Sequence, residues 1–284
     1  MIKLPEDKVI ITAALTGAVG NKEMNPNYPI QPGEIVADGY TCYNEGAAII
    51  HIHARDEDGS PTGKAEVFRN IHLGIKGKCD AILQDSTGGG PNLSLAERED
   101  CINAGPEMAS INMGTLLRTR GKYAGTAWIN TREYIEQLAT KMKERGIKPE
   151  IEIYHHGMFR EVNNLIKKAL LEKPYYIDLI TGMNYQGAAE ATPKNLMMYL
   201  DFLPEETVFN VLSVGYPYQN TLTTMGMILG SCIRVGLEDN VFYRRDEHAT
   251  NGQLVARAVR IARELGKEPA TPEEARQILG LKSL

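Results

Sequence analysis

The chain has 284 residues, 43% of them apolar and 24% charged, with a formal charge of −5. The length suits one large domain, since a barrel of alternating strands and helices needs about 250 residues. The mild acidity argues against a nucleic-acid partner, because such proteins present a basic face to phosphates.

The first residues, MIKLPEDK, lack the basic start and apolar run of a signal peptide, which predicts a cytoplasmic protein. No apolar run approaches the roughly 20 residues that span a bilayer, so no membrane partner is expected. The first strand is predicted over 8–15 (KVIITAAL), followed by a helix over 32–45 with Gly46 placed as a C-cap. Strand 48–55 (AIIHIHAR) and helix 64–78 come next, then strand 81–87 (AILQDST) and helix 94–103. Strand 108–115 (MASINMGT) leads to helix 131–145, ended by Gly146, and strand 148–154 (KPEIEIY) to helix 158–172. After strand 175–181 (YYIDLIT), Thr192-Pro193 sets a capping residue before a proline at the first position of helix 193–202. Strand 207–214 (TVFNVLSV), helix 219–229, strand 232–238 (CIRVGLE) and helix 251–265, ended by Gly266, complete the alternation. Thr271-Pro272-Glu273-Glu274 is a capping box that opens a short C-terminal helix, 272–279.

Eight strand–helix units with crossovers long enough for parallel pairing predict an α/β fold, a closed (β/α)₈ TIM barrel, as a single domain over 1–284. A doubly wound dinucleotide-binding sheet would show GxGxxG after the first strand. Thr16-Gly17-Ala18-Val19-Gly20 does not match it. Cys42, Cys79, Cys101 and Cys232 are scattered without a CxxC pair, which fits free thiols better than a thiolate metal cage.

In such a barrel the chemistry sits at the C-terminal ends of the strands. His51 and His53 are two apart on one strand, so both imidazoles face the same side. Metal ligation accounts for two imidazoles at a barrel mouth; a pair hydrogen-bonded to neighbouring strands is the plainer reading. Glu238-Asp239 ends the last strand, either as a ligand and a base or as a helix cap and a surface acid. Arg234 shares the face of Glu238 and needs an anionic partner, which Asp239 or a substrate supplies. His51, His53 and Glu238 together make the N,N,O set of an open catalytic zinc site, and other divalent ions suit the same donors. Ser86-Thr87-Gly88-Gly89-Gly90 offers hydroxyls and close backbone approach to a ligand, or is only a flexible turn. Asn112 and Thr115 end strand four, and Glu152 follows Glu150 on one face of strand five. His155 and His156 either ligate, relay a proton or cap the next helix. His72 and His248 read as structural or exposed.

These segments resemble the β-keto acid cleavage enzymes, the family of 3-keto-5-aminohexanoate cleavage enzyme. The likeness is carried by ITAALTGA, IIHIHARDEDG, QDSTGGG, PEMASINMGT, PEIEIY, PKNLMMYL, IRVGLEDNVFY and the closing NGQLVARAVRIARELGKEPATPEEARQIL. It implies a homotetramer of zinc barrels that converts a β-keto acid and acetyl-CoA into acetoacetate and a new CoA thioester. It assigns the zinc to His51, His53 and Glu238, the catalytic pair to Arg234 and Asp239, and substrate contact to Ser86 and Thr115. Where the aminohexanoate enzyme carries a glutamate for the substrate ammonium, this chain has Val19, so a substrate without that amino group is expected. His155-His156 also departs from the acidic residue expected after PEIEIY. Arg118 and Arg120 are either contacts for the CoA phosphates or solvated surface arginines. The competing reading is an amidohydrolase-like metal hydrolase. It is weakened because HxH lies on the second strand and strand six ends in Asp178-Leu179-Ile180-Thr181 without histidine.

Overall fold

A computed structural model describes residues 4–121 and 123–281. Eight parallel strands close into the predicted barrel: β1 Ile11–Ala14, β2 Ile49–Ile52, β3 Ile82–Asp85, β4 Met108–Asn112, β5 Lys148–Ile153, β6 Tyr175–Thr181, β7 Thr207–Ser213 and β8 Cys232–Val235. Each pairs with its neighbour in sequence, and β8 pairs with β1 to close the ring. The helices between and after them are α1 Pro32–Asn44, α2 Ala65–Lys76, α3 Leu95–Glu99, α4 Arg132–Arg145, α5 Phe159–Lys167, α6 Pro193–Leu200, α7 Tyr218–Leu229, α8 Asn251–Glu264 and α9 Pro272–Leu279. No described helix is long and apolar enough to cross a membrane.

Local chemistry explains the boundaries. Thr192 accepts from the Asn195 amide ahead of Pro193, and Thr271 and Glu274 form the reciprocal capping box. Gly146 ends α4 at φ +70°, where a side chain would be strained. Several segments differ from expectation. Residues 8–15 split in two: Lys8–Val9 pairs with Glu268–Pro269 beneath the barrel, and only Ile11–Ala14 joins the ring. Only one α-helical turn forms in 94–103 before a 3₁₀ turn at Asp100–Ala104. The loops at the C-terminal ends carry short ladders that were not foreseen: Ala54–Arg55 with Pro61–Thr62, Leu116–Arg118 with Ala127–Trp128 and Tyr185–Gln186, and Phe242–Arg244 with Glu247–His248. Ladders of two or three residues are too short to show a period.

Alternation along the strands sorts the interior into three tiers. The lowest is apolar: Ile10, Ile49, Ile82, Met108, Tyr176, Val208 and Cys232 pack with Leu4, Ala275 and Leu279, so α9 plugs the bottom. Arg276 of α9 fastens that plug, its Nε 2.6 Å from Glu107 and its Nη1 2.8 Å from Asp80. The next inward position on every strand is polar: Thr12, His51, Gln84, Ser110, Glu150, Asp178, Asn210 and Arg234, all of them buried. Barrels usually fill this space with branched apolar side chains, so the tier has been built for something other than packing. Above it, at the mouth, come His53, Ser86, Asn112 and Glu152.

Gly236 follows Arg234 on the inward face of the last strand and is held at φ +153°. A Cβ there would lie 2.0 Å from the Ala14 carbonyl oxygen. Gly236→Ala is therefore expected to destabilise the fold by about 1–3 kcal/mol, the range for an overpacked core position. A thermal melt within a degree or so of wild type would contradict this.

Candidate active site and metal centre

His51 and His53 leave β2 on the same face, and Glu238 arrives from the end of β8. One ligand atom from each lies within 4.8 Å of the others, an arrangement that can hold a single divalent ion. The His51 Nε2 is 3.7 Å from Glu238 Oε2, and the His53 Nε2 is 3.3 Å from Glu238 Oε1. His51 Nδ1 donates to Gln84 Oε1 at 2.8 Å, which fixes the tautomer and leaves the Nε2 lone pair free. His51 Nε2 and Glu238 Oε2 are buried and have no hydrogen-bond partner among the described residues. Burial, then the charge of Arg234, pushes the His51 pKa down to about 3, so the ring is the neutral ligand a metal needs. Two imidazoles, one carboxylate and orphaned lone pairs converging on one point fit zinc or a similar ion.

Glu238 is seated by close packing against the first loop. A Cβ on Gly17 would lie 2.9 Å from Glu238 Cγ. Gly17 is fixed in turn: its amide donates to Tyr28 Oη at 2.6 Å, and its carbonyl accepts from Arg55, which also reaches Gly20 O at 2.8 Å. Asn251, first residue of α8, ties the strand ends together. Its side chain donates to Leu15 O at 2.8 Å and accepts from Leu237 N at 2.7 Å.

Arg234 rises through the polar tier and meets both carboxylates. Its Nε and Nη2 each lie 3.0 Å from an oxygen of Asp239, and Nη2 is 2.6 Å from Glu238 Oε1. Burial opposes charge on Glu238, yet Arg234 and the two imidazoles outweigh it and hold this carboxyl well below the usual range. Asp239 goes the other way: burial, opposed by Arg234 and reinforced by Glu238, pushes it up to about 7. Two carboxylates sharing one guanidinium thus divide into a charged ligand and a group poised to exchange a proton near neutrality. Below them Glu150 and Asp178 face each other within the barrel, both raised by burial, and Asn210 donates to Asp178 at 2.9 Å.

A cavity of about 140 Å³ opens over the cluster, bordered by His53, Arg234, Glu238 and Asp239. Ser86, Gly88, Gly89 and Glu152 stand on its wall, and Val19 lies at it with 60% of its surface exposed. Gly88 N donates to Ser86 Oγ at 3.1 Å, and a Cβ on Gly88 would press on Trp128 at 3.3 Å. Arg98 holds this loop from beneath, donating to Thr87 O at 3.0 Å. Burial raises Glu152 to about 8, so it stands in the wall as a neutral acid, 3.3 Å from Tyr154 Oη.

Other predicted residues lie elsewhere. Asn112 is buried and turns inward to accept from Gly114 N at 3.0 Å, and Thr115 is exposed with its hydroxyl accepting from Asn130 N at 2.9 Å. Neither borders the cavity. His156 packs on Phe202, and His155 lies beside Gly187; they too are outside the wall. His72 makes a buried pair with Asp85 at 2.8 Å, and exposed His248 stacks on Phe242. Glu23 is exposed and off the wall, so it does not replace a carboxylate at Val19. Arg118 borders the cavity with its guanidinium donating to Thr126 Oγ1 and Ala127 O, whereas Arg120 is exposed away from it. The sequence reading missed Gln84, Tyr28, Arg55 and Trp128. Gln84 alone carried a signal, being two residues before Ser86 on the same face.

A sequence profile of the beta-keto acid cleavage enzymes matches residues 8–281. The chain belongs to this family. The 3-keto-5-aminohexanoate cleavage enzymes of Acetoanaerobium sticklandii and Fusobacterium nucleatum are each 38% identical to it, across 97% of this chain and 99% of theirs. The 3,5-dioxohexanoate:acetyl-CoA acetone transferase of Paraburkholderia graminis is 32% identical, across 97% of this chain and 96% of its own. In three dimensions the barrel resembles apo ObcA, with a TM-score of 0.73 at 19% identity over 90% of this chain and 66% of that one, which places the fold. The family member described here is thus an enzyme of the β-keto acid cleavage class.

Two outcomes follow from this geometry. Gln84→Ala frees the His51 tautomer and is expected to weaken zinc binding about 10–100-fold in a chelator competition, the usual effect of losing such a partner; unchanged affinity would detach Gln84 from the metal. Stability of chelator-stripped protein should fall as pH rises from about 4 towards 8. Asp239, Glu152 and Asp178 are raised to about 7, 8 and 6, so between the unfolded and folded pKa values the fold binds more protons than the unfolded chain. A melting temperature that rises over that window would contradict the assignment.

Proposed function

We propose that this chain is a zinc-dependent β-keto acid cleavage enzyme that uses acetyl-CoA as co-substrate and releases acetoacetate and a new acyl-CoA. The observation that carries the reading is the placement of the Arg234–Asp239 pair against Glu238, which itself closes the His51–His53 trio. His51, His53 and Glu238 would hold the ion; when bound it supplies Lewis-acid stabilisation of negative charge on substrate oxygens. The names of relatives support the same chemistry, among them an acetyl-CoA acetone transferase of Paraburkholderia graminis and a 3-oxoadipate:acetyl-CoA acetyltransferase of Cupriavidus necator.

Asp239 takes the proton from the carbon between carboxylate and ketone, and Arg234 fixes the carboxylate that takes it. The carbanion attacks the thioester carbonyl and expels the CoA thiolate. The thiolate then adds to the original ketone, and the carbon–carbon bond breaks, leaving a new acyl-CoA and the acetoacetate enolate. Asp239 returns its proton to that enolate, so the enzyme ends as it began. Ser86 on the cavity wall is the hydroxyl donor for the substrate, and burial keeps Glu152 protonated to donate as well. We assign Thr115 and Asn112 to supporting the loop after β4.

The lining of the cavity supports a keto acid without an amino group. Val19 stands at the wall together with Ile180, Met183, Leu212 and Val214, and its carboxyl groups are Glu152, Glu238 and Asp239. The first of these is protonated and the others are engaged with Arg234. An ammonium group at Val19 would lose its water without gaining a partner, costing several kcal/mol. The substrate is therefore a β-keto acid that is neutral beyond the keto group. By the same resemblance the working form is a cytoplasmic homotetramer, which light scattering of the purified protein would check.

Mass analysis of the acyl-CoA formed from acetyl-CoA and a panel of β-keto acids tests the reaction; no new thioester from any of them would refute it. Within the panel, 3-oxohexanoate should exceed 3-keto-5-aminohexanoate in kcat/KM by at least about tenfold, equivalent to 1.4 kcal/mol. The reverse order would overturn the role of Val19. Asp239→Asn should lower kcat by about 10²–10⁴-fold, and the wild-type rate should climb with pH to a plateau above about 7, where Asp239 is ionised. Retention of that pH step in Asp239→Asn would assign it to another group.

A further inference from the structure

In the reaction proposed above, Arg98 touches nothing that reacts. It stands on α3, buried to 4% exposure, and its guanidinium is met by neutral oxygens instead of carboxylates. Nε donates to Thr87 O at 3.0 Å, Nη1 to Ile129 O at 3.1 Å and Nη2 to Asn130 Oδ1 at 2.7 Å. The rings of Trp128 and Tyr134 lie 5.8 and 5.6 Å from it. Burying a permanent charge without a counter-ion is costly, so the position calls for an account beyond packing.

The bond from Nε supplies one. Its acceptor is the oxygen of the Thr87–Gly88 peptide, and the amide of that same peptide donates to Ser86 Oγ at 3.1 Å. A peptide unit is planar, so holding its oxygen fixes the direction of its N–H. Ser86 Oγ is thereby held as an acceptor, which leaves the hydroxyl proton to be donated elsewhere. Ser86 borders the cavity, where a substrate oxygen can take that proton. The loop also lies flush on the arginine stem: Gly89 sits at φ +56°, and a Cβ there would lie 2.5 Å from Arg98 Cγ.

The other two donors fasten the neighbouring loops. Ile129 and Asn130 follow Trp128, which stands on the cavity wall. Asn130 donates through Nδ2 to Gly114 O at 3.0 Å and through its backbone to Thr115 Oγ1 at 2.9 Å. One planar fork thus joins the loops after β3 and β4 to the hairpin that carries Trp128. A lysine would bring the charge but not the fork.

We propose that Arg98 is a positioning residue, which aims the Ser86 hydroxyl at the substrate through the Thr87–Gly88 peptide. It acts from behind the cavity wall and is not part of it. The assignment rests on the reading of Ser86 as the substrate's hydroxyl donor.

The test is a double-mutant cycle on the metal-loaded full-length protein, read as calorimetric binding of 3-oxohexanoate in the absence of acetyl-CoA. Ser86→Ala and Arg98→Lys should each weaken binding about three- to tenfold, the range for one hydrogen bond. The double variant should bind no more weakly than the poorer of the two, because both remove the same contact. Losses that multiply, or wild-type binding in Arg98→Lys, overturn the proposal. Trp128 is the only tryptophan of the chain and reports the clamp directly. Acrylamide should quench its emission more strongly in Arg98→Lys than in wild type, and no more strongly in Ser86→Ala. Unchanged quenching in Arg98→Lys would show the loops held without the fork and would also overturn it. Should Arg98→Lys fail to fold, Asn130→Ala, which removes only the acceptor of Nη2, takes its place in the cycle with the same expectation. If wild-type protein binds no 3-oxohexanoate, the reading of the cavity itself fails, and this inference with it.

Discussion

Arg234 enters a space that barrels of this kind normally fill with hydrocarbon. A guanidinium cannot shed its charge, and unpaired burial would cost several kcal/mol, so its surroundings must answer it with carboxylates. They do so in excess: Glu238 and Asp239 touch it, while Glu150, Glu152 and Asp178 stand near enough to shift with it. One cation among five acids leaves a surplus of potential negative charge, which protons and a divalent ion at Glu238 can balance. The separation of the pair into an ionised Glu238 and a proton-exchanging Asp239 follows from that shared cation. Remove it and the two carboxyls would meet without a mediator in a dry site.

The rest of the mouth keeps this arrangement in place. Gln84 orients His51 from the neighbouring strand. Tyr28 and Arg55 clamp the loop at Gly17, against which Glu238 is seated, and Asn251 ties the ends of β1 and β8. These supports come from four separate stretches of chain, so the position of a single ligand depends on the closed ring as a whole. The same clamp decides where Val19 stands, which links the seating of Glu238 to the shape of the cavity wall.

Much of this was legible in the residues because strand geometry is periodic. His51 and His53, Arg234 and Glu238, and Glu150 and Glu152 share faces by even spacing, and the caps at Thr192 and Thr271 announce helices by side-chain chemistry. The faces so defined bring the ligand atoms of His51, His53 and Glu238 within 4.8 Å of one another. What escaped notice is contact between distant stretches without a local pattern. Tyr28 and Arg55 resemble ordinary loop residues until the fold brings both to Gly17. Trp128 reaches the cavity through a hairpin of only a few residues. Thr115 and His155 show the converse, since a position at a strand end does not fix whether the following turn faces the cavity or solvent.

The pairing of Lys8–Val9 with Glu268–Pro269, together with the α9 plug, fastens the two ends of the chain beneath the barrel. During synthesis the histidines emerge well before Glu238 and the segments that seal the floor. A nascent chain therefore displays two imidazoles for most of its elongation without the carboxylate that would let them grip an ion firmly. Three-point capture of an ion by this trio would thereby wait until the ring has closed, and a fragment that ends before β8 would offer only the two imidazoles.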